Sequence, residues 1–250
     1  VVAVDELGWQ SLQINVGNGP RANTPLGRDP RVRHALELSL DRQAIVQVVY
    51  EGAYTPTVQP LPPANPYHVA SLRPEPRNVE RARALLREAG VTTPLQVELA
   101  VPNNPDLRQV GEVIQAMARE AGFDIRLRAV EFASGLQAAQ RGEFELWLVG
   151  WSGRADPDGN IYSFFVTGGG QNDGRYSNPE ADRLMNAARA ELDQEKRKAL
   201  YEQLLQILVR QDRPRLFLWH RKNIMVHSAR LTGYRPVPDG LIRVQGLRFE

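Results

Sequence analysis

Between Leu95 and Val149 the sequence switches back and forth between two periods, and this constrains the fold more than any other feature. Leu95, Val97, Leu99 and Val101 alternate as in a strand. Pro102-Asn103-Asn104-Pro105 makes a turn, and from Asp106 the residues Leu107, Val110, Val113, Ile114, Met117 and Ala121 keep helical spacing up to Gly122. Ile125 to Val130 reads as a strand, Ala133 to Gln140 as a helix, and Phe144 to Val149 as a strand again. Strands and helices in alternation, with short connections, predict parallel strands joined by right-handed crossovers, and hence an α/β fold. Phe144 to Val149 is apolar or aromatic except at Glu145, so it reads as a central strand covered on both faces.

Parallel strands bring their C-terminal ends to one edge of the sheet, which is where open α/β sheets bind ligands. That edge collects Asn103 and Asn104, then Glu131 and Ser134, then Trp151 to Asp156. The third of these is the richest. The strand breaks at Gly150, and Trp151-Ser152-Gly153-Arg154-Ala155-Asp156-Pro157-Asp158-Gly159 is a turn-rich loop. Asp158 or Asn160 then caps a short helix from Ile161 to Val166. The candidate ligand-binding residues are therefore Trp151, Ser152, Gly153, Arg154, Asp156, Asn103, Asn104 and Glu131. Two of them have a competing use: Trp151 as core, and Arg154 as the ion-pair partner of Glu131 or Asp156.

The remaining segments follow the same logic. Leu12 to Val16 is a short alternating strand. Asp29 caps a helix from Pro30 to about Tyr50, with a break near Asp41. Gly52 to Arg77 is a connection holding seven prolines; loops of that length are functional or pinned by packing. Asn78 and Asn178 cap further helices, and Gly168 to Ser177 is a glycine-rich loop. Gln194 to Gln211 is a long amphipathic helix. Leu216 to Trp219 and Ile224 to His227 read as strands, and the tail from Leu241 has weak strand character.

Composition excludes several classes of function. Net charge is +2 with both signs interspersed and no basic run, so nucleic acid is not an expected partner. No cysteine is present, which removes disulfides and thiolate metal sites. No apolar run approaches the ~20 residues of a membrane span. Val1-Val2-Ala3-Val4 has no Met, no basic region and no cleavage site, and reads as the interior of a longer chain.

Catalytic and cofactor motifs fail on particular residues. Gly150-Trp151-Ser152-Gly153 approaches a nucleophile elbow, but Arg154 stands where the second glycine belongs. Asp156 to Asn160 hints at a calcium loop, but Ile161 and Thr167 occupy its glycine and glutamate positions. Gly168-Gly169-Gly170 precedes no Gly-Lys-Ser/Thr. His34, His68, His220 and His227 show no ligand spacing. No enzyme activity, no metal and no cofactor are expected.

The run Asp29-Pro30-Arg31-Val32-Arg33-His34-Ala35-Leu36, ending in Asp41-Arg42, resembles the corresponding helix of the family 5 solute-binding proteins, the extracytoplasmic receptors of peptide, nickel and related ABC importers. The resemblance continues through Gly52-Ala53, Ala82 to Gly90, Gly150-Trp151 with Asp156-Pro157-Asp158, and Tyr176 to Asp182. It implies a type II periplasmic-binding-protein-like fold seen as its second lobe, three-layered, with a mixed, partly parallel sheet flanked by helices. It divides the chain into residues 1–29, a crossing segment from lobe one; 30–222, the ligand-binding lobe; and 223–250, a returning segment. Crossings are expected near Gly27 to Pro30 and Lys222 to Arg230. The implied partners are a small solute, peptide-like or other, an ABC permease, and lobe one of the same protein, in a periplasmic location. The alternative is the ligand-sensing domain of a transcriptional regulator. Peptide-binding members of the family carry an Asp four residues before the loop's Pro, pairing with the peptide α-amino group. Here that position is Gly153, and Arg154 follows it.

Overall fold

Polar side chains start most of the helices. Asp29, Asp41, Asn78, Asn104, Glu131, Asn178 and Asp193 each accept a hydrogen bond from a backbone N–H in the first turn that follows. In the computed structural model, which describes residues 1–250, the strands are β1 (Val2–Asp5), β2 (Trp9–Ile14), β3 (Thr55–Pro56), β4 (Leu95–Pro102), β5 (Phe123–Val130), β6 (Leu146–Trp151), β7 (Arg215–His220), β8 (Lys222–Met225), β9 (Leu231–Thr232) and β10 (Arg248–Phe249). The α-helices are α1 (Pro25–Arg28), α2 (Pro30–Leu38), α3 (Arg42–Tyr50), α4 (Val79–Glu88), α5 (Pro105–Glu120), α6 (Phe132–Gln140), α7 (Asp158–Phe165), α8 (Pro179–Ala190) and α9 (Gln194–Leu205).

Six strands form one mixed sheet in the order β3-β7-β2-β6-β4-β5. β4 runs parallel to both β5 and β6, as the alternating periods predict, while β2 lies antiparallel to β6 and β7. Apolar residues of α2, α3, α4 and α5 cover one face, meeting Leu12, Ile14, Leu146 and Leu148. Residues of α7, α8 and α9 meet Trp9 and Phe217 on the other face, where Ala139 of α6 packs with Trp147. The three-layer architecture with a mixed, partly parallel sheet is thus the observed one.

The position of β2 corrects the expected division of the chain. Leu12 to Val16 was assigned to a crossing segment ending at residue 29, yet β2 lies between β6 and β7 and every one of its residues is buried. The sequence hid this because one face of β2 carries Ser11 and Gln13, polar residues that read as solvent-facing. Ser11 Oγ instead donates to Val149 O at 3.1 Å and accepts from Arg215 at 3.0 Å, which makes its burial tolerable. Of residues 1–29, only Val2–Asp5 pairs outside the main sheet, as an antiparallel ribbon with β8. The first departure from the sheet is therefore at β1, not at Gly27 to Pro30.

The break expected near Asp41 within Pro30 to about Tyr50 is present, with Asp41 starting α3. Smaller differences have equally local causes. The long helix from Gln194 widens into a π-turn over Gln206–Asp212, and Arg213 closes it in a left-handed conformation. The strand expected to break at Gly150 continues through Trp151, because Gly150 and Trp151 pair with Gln10 and Trp9. The proline-rich connection is pinned: Gln59, fully buried, donates to Val69 O at 2.8 Å and accepts from Val69 N at 3.0 Å.

Candidate functional site

The register of β4, β5 and β6 puts the three expected groups on one edge of the sheet, and each group then does something different. Asn104 starts α5 by accepting from Leu107 N at 3.0 Å, and the Asn103 amide donates to Val130 O, tying the ends of β4 and β5. Glu131 starts α6, accepting from Ala133 N and Ser134 N at 2.9 and 2.8 Å; these donors hold its carboxyl below the usual range. Both Asn104 and Glu131 are thus engaged by backbone, and their exposed faces line the edge.

The loop after β6 is built around a residue that sequence reasoning assigned to a helix cap. Asn160 is fully buried and does not cap α7, whose N-cap is Pro157. Asn160 Oδ1 accepts from Arg154 N at 2.8 Å and from Trp151 Nε1 at 3.1 Å, and its Nδ2 donates to Arg154 O at 3.0 Å. Its amide thus folds Trp151 to Arg154 into one shape. Replacing Asn160 by Ala is expected to destabilise the chain by about 2–3 kcal/mol, since the Arg154 amide then lacks a partner in a partly buried position. The urea unfolding midpoint reads this directly; an unchanged midpoint would contradict it.

Gly153 is fixed by a second contact. It has φ +85° and forms a parallel bridge with Leu7, and a Cβ there would lie 2.1 Å from the Leu7 carbonyl carbon and 2.3 Å from Gly8 N. Only glycine suits that conformation and that approach. An Asp side chain, which the resemblance places at this position in peptide-binding members, therefore does not fit at position 153 of this chain.

Trp151 is half-buried, with one side in the core and the other toward the loop surface. Its ring meets Phe164 edge-on at 5.2 Å, and its outer side carries the Arg154 guanidinium 4.5 Å from the ring centroid. Arg154 pairs with neither Glu131 nor Asp156, so the ion-pair alternative foreseen for it is not realised. Its Nη1 donates to Gly153 O at 2.7 Å, and Ser152 Oγ lies at 3.5 Å. Asp156 is taken by Arg197 in a two-pronged pair at 2.8 and 2.9 Å, and hydrogen bonding from Arg197 lowers its pKa. Asp158 pairs with Arg189 at 3.2 Å; burial raises its pKa against that pull. The loop therefore presents an exposed cation, stacked on an indole, with no carboxylate beside it to neutralise it.

No cluster of three or more His, Asp or Glu side chains is placed to hold a metal ion. No helix is long and apolar enough to cross a membrane.

The sequence pattern described as "Bacterial extracellular solute-binding proteins, family 5 Middle" matches residues 1–173. Among curated proteins, the chain is 30% identical over 228 residues to Heme-binding protein A of Haemophilus influenzae, covering 88% of this chain and 42% of that protein. It is 28% identical over 232 residues to the Dipeptide-binding protein of Escherichia coli, covering 89% and 43%. Among solved structures, HbpA2 from Haemophilus parasuis superposes with a TM-score of 0.87 at 28% identity, covering all of this chain and 49% of that one. The chain thus spans about half the length of the relatives it matches, or slightly less. The two curated relatives are named as binding proteins.

Proposed function

Because this chain belongs to the bacterial extracellular solute-binding proteins of family 5, we propose that it is the ligand-capturing lobe of an ABC importer's receptor, working outside the cytoplasm. In this reading a facing lobe of the same protein supplies the other wall of the site, in keeping with the half-length match to relatives. The β1–β8 ribbon is the hinge between them, and the exposed apolar residues Ile242, Val244 and Phe249 of the returning segment pack toward that lobe. Binding energy stabilises the closed form, which the permease recognises. The ligand-binding residues are Trp151, Ser152, Gly153, Arg154 and Asp156, with Asn103, Asn104 and Glu131 at the rim.

The observation that carries the reading is Arg154, stacked on Trp151 and without a carboxylate partner. A free ammonium needs a carboxylate, and those of this loop are engaged by Arg197 and Arg189. The favoured solute is therefore anionic, or neutral and rich in amide or hydroxyl acceptors. In a thermal-shift panel on the two-lobed protein, small carboxylates and N-acetylated peptides are expected to stabilise more than plain di- and tripeptides. At a hundredfold excess over Kd the stabilisation is about 2.7 kcal/mol. Arg154→Ala is expected to weaken the best ligand about tenfold or more, as loss of a charged hydrogen bond worth about 1.5–3 kcal/mol implies. Strong stabilisation by plain peptides that is lost on acetylation would overturn the charge assignment.

A further inference from the structure

The edge of the sheet opposite Trp151 and Arg154 gathers arginines that the proposed function does not use. A cavity of about 400 Å³ opens there among Arg83 and Arg87 of α4, Arg119 and Glu120 of α5, and Thr93 and Gly122, which lead into β4 and β5. Those two strands run parallel for eight residues, so this edge lies roughly 25 Å from the one that carries Arg154. Arg83 and Arg87 are four residues apart on one helix face. Arg83 Nε donates to Glu120 O at 2.8 Å, which sets its head against the last turn of α5, where Arg119 stands. Three guanidinium groups thus share one cavity with a single carboxylate, Glu120. Arg77 already pairs with that carboxylate at 3.1 Å, and is itself held by Ser39 O at 2.8 Å and Met117 O at 3.0 Å. The other acids nearby are also taken: Glu88 by Arg81, and Asp124 by Arg126. Helix C-termini favour cations, and Arg83 meets that need through Glu120 O. Arg87 and Arg119 are exposed and make no ion pair and no side-chain hydrogen bond, so they do not serve as caps. Two like charges four residues apart cost helix stability, and nothing within the chain offsets that cost for Arg83 and Arg87.

We propose that Arg83, Arg87 and Arg119 bind a phosphoryl group, carried as free phosphate or on a lipid headgroup, at a site separate from the solute edge. A guanidinium offers paired N–H donors that match two oxygens of a tetrahedral oxyanion. Three of them suit a dianion with three or four oxygens better than a carboxylate, which offers two oxygens and one charge. The cavity is many times the ~30 Å³ that one water occupies, so it admits a phosphoryl group with its waters or its ester. Glu120 does not repel the anion at close range, because Arg77 neutralises it from the other side. The sequence shows no basic run here, since the three arginines come from two helices that only the fold brings together.

The inference does not rest on the solute reading and has its own test. The full-length protein is titrated with inorganic phosphate by calorimetry at low ionic strength, where screening is weak. In parallel it is sedimented with phosphatidylcholine vesicles, with and without phosphatidic acid. Saturable binding is expected in at least one arm: phosphate binding identifies a free anion, and sedimentation only with phosphatidic acid identifies a lipid. Arg87→Ala combined with Arg119→Ala changes two exposed side chains without partners, so circular dichroism should be unchanged while binding weakens tenfold or more. Arg108→Ala combined with Arg183→Ala removes the same charge from other exposed positions and is expected to leave binding unchanged. Arg154→Ala, at the solute edge, is also expected to leave it unchanged. Binding in neither arm, binding that survives loss of Arg87 and Arg119, or binding lost equally in the Arg108 and Arg183 variant or in Arg154→Ala would each overturn the proposal.

Discussion

Glu37→Ala is expected to cost about 3–5 kcal/mol of stability, the cost of stripping the partner from buried charges. Glu37 is 3% exposed, and its two oxygens each take one arginine: Arg42 Nη2 at 2.8 Å and Arg213 Nε at 2.7 Å. Both arginines are buried as well, and Arg42 Nε also donates to Phe217 O of β7 at 2.7 Å. One carboxylate therefore joins α2, α3, the turn after α9 and the central sheet. In its absence two guanidinium groups face each other in the interior. The thermal midpoint should fall by roughly 6–20 °C, using about 2–4 °C per kcal/mol for a chain of this size. The same group predicts an acid limb. Burial alone would raise the Glu37 pKa, but Arg42 and Arg213 outweigh it and the net shift is downward. Its stabilisation is then complete above the unfolded glutamate value of about 4.3 and is lost as pH falls further, toward the folded value. The gap between wild type and Glu37→Gln should narrow in that window. A gap constant from pH 6 down to pH 3 would show that Glu37 is not the group that titrates.

Gly153→Asp is expected to unfold the site rather than to restore ammonium binding. Its Cβ meets Leu7 and Gly8 backbone atoms, which belong to the segment leading into β2 and cannot rotate away. Left-handed strain and overpacking together come to about 3–4 kcal/mol. That corresponds to a fall of roughly 6–16 °C in the thermal midpoint. The companion measurement is calorimetry with a plain dipeptide, and no gain in affinity is expected. A folded, stable Gly153→Asp protein that binds dipeptides would show that the Leu7–Gly153 bridge is dispensable and that the family's anchor can be restored. Arg154→Asp, at an exposed position, is the substitution expected to admit an ammonium without that cost.

Most of the architecture was legible because it rests on local rules. Caps at Asp29, Asn78 and Asn178 are short-range hydrogen bonds, and the period change between Leu95 and Val149 implies the parallel β4, β5 and β6. The edge carrying Asn103, Glu131 and Trp151 follows from that topology alone. β2 was misassigned for the opposite reason. Its neighbours in the sheet, β6 and β7, lie more than a hundred residues away, and its polar face is buried only because Val149 and Arg215 satisfy Ser11.

The sequence alone determined that a turn-rich loop with an indole, a guanidinium and carboxylates would follow a buried strand at the C-terminal edge of the parallel strands. It also determined that position 153 would lack the family's carboxylate. Only the tertiary structure decided which charges remain available. Arg197 takes Asp156, Arg189 takes Asp158, backbone amides take Glu131, and Arg154 is left facing solvent over Trp151. An ion pair depends on two side chains arriving within about 4 Å. For Arg197 and Asp156 that distance is set by the packing of α9 against the far side of the sheet, which no spacing along the chain encodes.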